Sequence, residues 1–271
     1  MQGRVLVIAG SDSGGGAGIQ ADIKTITALG GYAATAITAV TVQNTTGVSA
    51  IHRVPAQIVA EQICAVLSDI GADVIKIGML NDHEIIDVVA SVIESDAADI
   101  PVVLDPVMIA KGGHALLESE AVEHLKHRLM PQAFVLTPNV PEAEAITGLS
   151  ISDNETMDAA AHRLAELGAK TVLLKGGHMS GEDVSDVLLS ADGNVEHFTA
   201  PRIDTLHTHG TGCTLASGVA VGLAQKLTVR DAVMRARAYV RKAIETAPGL
   251  GAGHGPLNHG HTVKPFHGGE K

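Results

Sequence analysis

Two glycine-rich segments hold the residues best suited to chemistry. One reads His209-Gly210-Thr211-Gly212-Cys213-Thr214 and runs into Leu215-Ala-Ser-Gly-Val-Ala-Val-Gly-Leu223, which is almost wholly small or apolar. A stretch apolar on every side predicts a buried helix. The motif then lies at its N-terminus, where free N–H groups and the helix dipole form an anion hole. Cys213 falls in the first turn, a position that lowers a thiol pKa and suits a nucleophile or general base. A buried structural cysteine is the plainer alternative, and it is the one adopted for Cys64, in the middle of an amphipathic segment.

The other segment, Gly10-Ser-Asp-Ser-Gly-Gly-Gly-Ala-Gly18, joins a strand-like run to a helix-like one. Glycines there let backbone approach a ligand closely. The segment is not a nucleotide P-loop, because Gly16 and Ala17 stand where Lys and Ser/Thr are required. The Gly-x-Gly-x-x-Gly dinucleotide pattern fails as well, since Gly14 and Gly16 are followed by Ile19. A ligand loop and a tight strand-to-helix connection both fit.

The elements that must position these segments alternate along the chain, the signature of a parallel sheet with crossover helices. Strands are expected at Arg4–Ala9, Tyr32–Val42, Asp73–Ile77, Pro101–Leu104, Ala133–Leu136 and Thr171–Leu174. Helices are expected at Gln20–Leu29, from Pro55 to Gly71 on the 3.6-residue spacing of Val59, Ile63, Val66, Leu67 and Ile70, and near 82–95, 119–128 and 154–168. Val184–Leu189 and Val195–Thr199 flank the turn sequence Ala191-Asp-Gly-Asn194, which predicts a β-hairpin within 184–204. Two helices follow, about 213–225 and 229–246, the second opened by a Thr228/Asp231 capping box. From Ala247 a tail rich in Gly, Pro and His reads as irregular. His254, His259, His261 and His267 lack a fixed ligand spacing, so a metal cluster is not expected there. No linker divides the 271 residues, and one domain is expected over 1–271.

Composition agrees with this architecture. Hydrophobic residues make up 45% and aromatics 2%, so Ala, Val, Ile and Leu must build the core, as suits strands covered on both faces. A net charge of -11, from 19 Lys+Arg against 30 Asp+Glu, argues against a nucleic-acid binder but not against a phosphorylated ligand held by backbone N–H groups. Two cysteines make no disulfide framework, which favours a reducing compartment. With no apolar run able to span a bilayer and no secretory signal, a cytoplasmic protein is expected.

Seven ordered motifs carry a resemblance. They are Ala9-Gly-Ser-Asp-Ser-Gly-Gly-Gly-Ala-Gly-Ile-Gln-Ala-Asp22, Val42-Gln-Asn-Thr-Thr-Gly47, Lys76-Ile-Gly-Met-Leu80, Leu104-Asp-Pro-Val-Met108, Thr137-Pro-Asn-Val-Pro-Glu142, Lys175-Gly-Gly-His178 and Thr208-His-Gly-Thr-Gly-Cys213. Together, over about residues 4 to 257, the chain resembles the bacterial hydroxymethylpyrimidine/phosphomethylpyrimidine kinases of thiamine biosynthesis, within the ribokinase-like superfamily that includes pyridoxal kinases. The resemblance implies a three-layer α/β/α fold around a mostly parallel sheet and a homodimer. It also implies transfer from Mg²⁺-ATP to 4-amino-5-hydroxymethyl-2-methylpyrimidine and then to its monophosphate.

The resemblance also assigns roles. Gln43 matches the pyrimidine-contacting amide, Ala17, Met79 and Val107 match pocket walls, and Asp22 matches an acid near the substrate hydroxyl. Gly210 and Gly212 match the anion hole, and Cys213 matches a catalytic position that is Asp in most ribokinase-like enzymes. Lys175, Gly177, Thr208 and Thr211 match the nucleotide side, Lys175 being equally readable as a solvated strand end. Asn139 and Glu142 fit an Asn-x-x-Glu motif that positions Mg²⁺, often through water, and Asp105 either joins them or caps the loop before Pro106. A pyridoxal or pyridoxine kinase is the first alternative function. A non-catalytic pyrimidine-binding protein is the second, with the intact Gly210, Gly212, Cys213, Asn139 and Glu142 weighing against it.

Overall fold

The computed structural model describes residues 2–108 and 119–264. Nine strands form one sheet: β1 (Arg4–Asp12), β2 (Tyr32–Asn44), β3 (Gly47–Arg53), β4 (Val74–Ile77), β5 (Val102–Leu104), β6 (Ala133–Leu136), β7 (Val172–Leu174), β8 (Asp183–Leu189) and β9 (Val195–Pro201). Their order is β3-β2-β1-β4-β5-β6-β7-β8-β9. From β2 to β7 neighbours run parallel, and antiparallel pairs β2/β3, β7/β8 and β8/β9 finish the two edges.

Alternation along the strands divides the core in two. In β1, Leu6 and Ile8 pack toward α2 (Ala56–Asp69), α3 (His83–Asp96), α4 (Ser119–His124), α5 (Val140–Thr147) and α6 (Asn154–Glu166). Val5, Val7 and Ala9 face the other way, toward α1 (Gly18–Ala28), α7 (Thr211–Ala224) and α8 (Val229–Glu245). Side chains of a strand alternate between faces, so a run of apolar residues supplies both layers at once. The expected three-layer arrangement is present, and α4 passes directly into a π-helical turn, Leu125–Leu129.

Local signals explain most boundaries. Asp82 caps α3 by accepting from Ile85 N, and Thr228 caps α8 by accepting from Asp231 N. The predicted hairpin is β8–β9, turned through Gly193 at φ 84°. Two elements were not expected. Strand β3 buries only Val48, at 7% exposure, so it carries no apolar alternation to read. Helix α5 has eight residues and a proline in its first turn, yet Asn139 and Glu142 form a full capping box at its start. That spacing, followed by an apolar run, was a legible helix signal. The tail is irregular as expected, but it is docked. Asn258 N donates to Ala243 O, Tyr239 Oη donates to the His259 carbonyl, and His259 is buried. His267 lies outside the described residues, and no group of His, Cys, Asp or Glu fit to hold a metal occurs among those described.

One polar feature crosses the layer of α1 and α7. Lys76 of β4 and Asp22 of α1 both have no exposure, and Lys76 Nζ lies 2.9 Å from Asp22 Oδ2. Ser217 of α7 donates to the other carboxylate oxygen at 2.7 Å. Removing one partner of such a pair leaves an uncompensated charge in the core. Lys76→Met is therefore expected to lose about 3–5 kcal/mol in urea unfolding, and Asp22→Leu added to it should recover much of that loss.

Candidate active site

Most of the motif residues lie at or just beyond the carboxyl end of a strand, where open parallel sheets place their ligands. Gly10 and Asp12 end β1, and Thr41 and Gln43 end β2. Met79 follows β4, Asp105 and Val107 follow β5, Asn139 and Glu142 follow β6, and Lys175 and Gly177 follow β7. An isolated parallel bridge between Asn139 and Lys175 holds the last two segments side by side.

The first glycine loop is wound around Asp12. Its Oδ1 accepts from Gly14 N at 2.8 Å, and its Oδ2 accepts from Gly16 N at 3.1 Å and Ala17 N at 2.8 Å. Burial works to raise this carboxyl, but the bond from His209 and those from the loop hold it below its ordinary value. The loop then meets the second motif. Gly210, at φ 86°, presses on Gly16 so closely that a methyl group there would strike the Gly16 carbonyl. Only glycine suits both the positive φ and the contact.

Gly210 is the N-cap of α7, so Thr211, Gly212 and Cys213 form its first turn, where N–H groups lack a partner within the helix and could meet an anion. Lys175 Nζ closes over this turn. A side chain on Gly212 would approach the ammonium to 3.3 Å and Asp105 Oδ2 to 3.6 Å. Lys175 is bonded to Asp105 Oδ1 at 2.8 Å, which also accepts from Thr137 at 3.0 Å. The solvated strand end considered for Lys175 is thereby corrected: its side chain is 12% exposed and ion-paired. Burial alone would lower its pKa, but Asp105 and Glu142 keep it raised.

Glu142 is buried and pushed up to about 7, by desolvation first, with Asp105 adding to the rise and Lys175 opposing it. Asn139 Oδ1 is taken up by Glu142 N, and Glu142 Oε2 by Asn139 N. Asn139 thus acts on Glu142 and the helix start. The carboxylates of Asp105 and Glu142 are all-oxygen donors of the kind Mg²⁺ takes, and a buried carboxyl with a raised pKa is one short of positive charge.

On the acceptor side, Met79 packs against Gly10, where a Cβ would collide with its methyl group, and Ala17 begins the turn into α1. Val107 is half-buried beside Asp105. Gln43 is fixed through its backbone to Ser13, which accepts from Gln43 N and donates to Gln43 O, both at 2.8 Å. Gly177 is exposed in the turn after β7, its carbonyl accepting from Arg202 at 3.0 Å. Thr208 accepts through its carbonyl from Thr211 N at 3.4 Å.

Three expectations need correction. The Cys213 thiol is not lowered. It is half-buried near Lys76, Asp22 and Asp105, and desolvation pushes it up to about 12 against the pull of the Lys76 ammonium and a bond from Gly18 N. Cys64 is exposed, not a core residue. Asp22 has no exposure and both its oxygens are engaged, so it stands behind the site as the partner of Lys76 and does not face a substrate hydroxyl. Two residues with no role assigned from sequence, Asp12 and His209, prove central. Asp12 is the one acid inside the first glycine loop, and an Asx side chain among glycines is a recognisable nucleus for backbone turns.

A mixed α/β sheet with a helix N-terminus, a lysine ammonium and buried carboxylates at its carboxyl edge is the arrangement of a ribokinase-like small-molecule kinase. The family model for phosphomethylpyrimidine kinase matches residues 12–258. The chain is 54% identical over 259 residues to the thiamine biosynthesis bifunctional protein ThiED of Geobacter sulfurreducens, covering 95% of this chain but only about half, 52%, of that longer protein. It is 48% identical to the hydroxymethylpyrimidine/phosphomethylpyrimidine kinase of Haemophilus influenzae, covering 94% of this chain and 96% of that one. Among solved structures it is similar to the phosphomethylpyrimidine kinase of Clostridium difficile, with TM-score 0.79, 41% identity, and coverage of 89% and 99%. It is also similar to the ADP complex of Bacillus subtilis pyridoxal kinase, with TM-score 0.87, 33% identity, and coverage of 96% and 98%. The chain belongs to the phosphomethylpyrimidine kinase family.

Two outcomes follow from this geometry. Ellman's reagent at pH 7 should modify exposed Cys64 first, and Cys213 should stay slow until the pH is raised well above 9, as peptide mass spectrometry will show. Gly210→Ala should disturb both glycine loops together and abolish nucleotide binding in calorimetry.

Proposed function

We propose that the chain, acting as one domain, transfers the γ-phosphate of ATP to 4-amino-5-hydroxymethyl-2-methylpyrimidine and then to its monophosphate. The observation that carries this reading is the convergence of Gln43, Met79 and Gly10 on one side of the α7 N-terminus and of Lys175, Asp105 and Glu142 on the other. The identity of the relatives, higher toward pyrimidine kinases than toward pyridoxal kinases, supports the choice of ring.

In this mechanism the ring lies between Met79, Val107 and Ala17, with Gln43 at its amino edge. The first-turn N–H groups of α7 and the Lys175 ammonium face the phosphate oxygens, where fixed donors do most of the work of phosphoryl transfer. Thr208, Thr211 and Gly177 flank the nucleotide. Asp105 and Glu142 would hold Mg²⁺ through water, and the ion when bound neutralises phosphate charge. Cys213 meets the acceptor hydroxyl as a protonated thiol that orients it, the hydroxyl proton passing to a phosphate oxygen as the new O–P bond forms and the bond to the leaving ADP breaks. A loose transition state asks little of a base, so a thiol with a raised pKa is compatible with turnover. A cytoplasmic homodimer belongs to the same reading. No helix among the described residues is long and apolar enough to cross a membrane, and β2 leaves Val40 and Val42 exposed beside the sheet edge.

Pyridoxal phosphorylation is the second reading, favoured by the 0.87 TM-score to a pyridoxal kinase. Coupled ADP-release assays at equal concentrations of hydroxymethylpyrimidine, its phosphate, pyridoxal and pyridoxine should show the pyrimidines turned over fastest. A clear preference for pyridoxal would sink the first reading. Cys213→Ala should lose about tenfold in turnover, the loss of one orienting contact of about 1.4 kcal/mol, while still binding the pyrimidine.

A further inference from the structure

His209 joins the two glycine loops across 197 positions of sequence. Its Nε2 lies 2.8 Å from Asp12 Oδ2 and 3.4 Å from the Gln43 Nε2. Asp12 and His209 are both buried, at 3% and 8% exposure. The proton positions follow from the partners. Asp12 is held in its ionised form and can only accept, so an unprotonated Nε2 would set two acceptors 2.8 Å apart. Nε2 therefore carries a proton and donates it to Asp12.

This fixes what Gln43 must turn toward the imidazole. An amino group there would face an N–H with another N–H. At its other end, the amide oxygen lies 3.0 Å from Thr41 Oγ1, whose one proton is also aimed at the Ser11 carbonyl at 2.9 Å. Half a turn of the amide about its last bond removes both conflicts. The carbonyl then faces the Nε2 proton as the long, 3.4 Å arm of a bifurcated bond whose short arm goes to Asp12, the amino group donates to Thr41, and Thr41 donates to Ser11.

We propose that His209 is a positioning residue for the acceptor, holding the Gln43 amide with its carbonyl toward the imidazole and its amino group toward Thr41. An amide has two N–H donors and two oxygen lone pairs. One of each is spent on the protein, leaving one N–H and one lone pair, the complement of a ring nitrogen beside an exocyclic amino group. His209 thereby sets ring specificity without touching the ring. The inference rests on the placement of the pyrimidine at Gln43.

The test is a double-mutant cycle by calorimetry with hydroxymethylpyrimidine, using Gln43→Ala, His209→Leu and the pair, with a non-hydrolysable ATP analogue as a control for the nucleotide side. Each single change should weaken pyrimidine binding on the order of tenfold. The pair should be hardly weaker than either alone, since both break one interaction. His209→Gln, which keeps a donor near Nε2, should restore most of the affinity, and the pyrimidine KM should rise in His209→Leu while the ATP KM stays. Losses that multiply in the pair, or unchanged binding in His209→Leu, overturn the proposal. A Gln43→Ala protein that binds like wild type overturns instead the placement of the ring, and the inference with it. If His209→Leu does not fold, nitrogen NMR of the wild-type imidazole decides: a proton on Nε2 supports the proposal, and its absence refutes it.

Discussion

Burying a lysine between a sheet and its helices is tolerable only if its charge is met at once, and Lys76 is met by Asp22 and, through Asp22, by Ser217. That requirement ties β4, α1 and α7 together at one depth. The proposed anion hole is the first turn of α7, the first glycine loop feeds α1, and Met79 stands three residues beyond Lys76. The relative placement of Met79, the first glycine loop and the start of α7 therefore depends on one ion pair enclosed in the core. The same pair sets the field around Cys213, with its ammonium pulling the thiol toward ionisation and its carboxylate resisting.

Beyond this pair, charges alternate across the site. Lys175 stands between Asp105 and Glu142, next to the helix start. This is how a protein with an excess of 11 acidic charges can receive a phosphorylated ligand. The positive potential comes from two enclosed ammonium groups and the oriented N–H groups of one helix, and a low-dielectric wall strengthens both. The overall negative charge, spread over the outer surface, is screened by salt within about 8–10 Å.

The sequence made the layered fold and the location of the motifs legible, because apolar runs such as Arg4–Ala9 and turn residues such as Gly193 act locally. Edge strand β3 was not legible, since Val48 is its one core residue and pairing with β2 provides the rest of its stabilisation. Helix α5 is masked for a different reason: the Asn139/Glu142 spacing fits a metal motif, and the same spacing also spells a capping box. The thiol at 213 shows the limit of a positional argument. A helix N-terminus does favour an anion, but desolvation is the larger effect, and the charges of Asp22 and Asp105 add to the rise while Lys76 opposes it. For the same reason Asp12 and His209 could be seen individually but not as a pair.

The docked tail has a consequence for the order in which the enzyme comes into being. His209 N donates to Gly255 O, His254 N donates to Thr45 O beneath the β2–β3 turn, and Thr214 of α7 is bonded at 3.0 Å to His259, a ring kept neutral by burial. Residues from 10 to 259 thus have to be present before the pocket has its final walls. A ribosome adding roughly 5–20 residues per second leaves β1, β2 and their loops waiting on the order of ten seconds or more for the segment that secures them. During that interval the early half of the sheet has a glycine loop without its opposing motif. The pocket is complete only once the segment around Gly255 has been made and paired with His209.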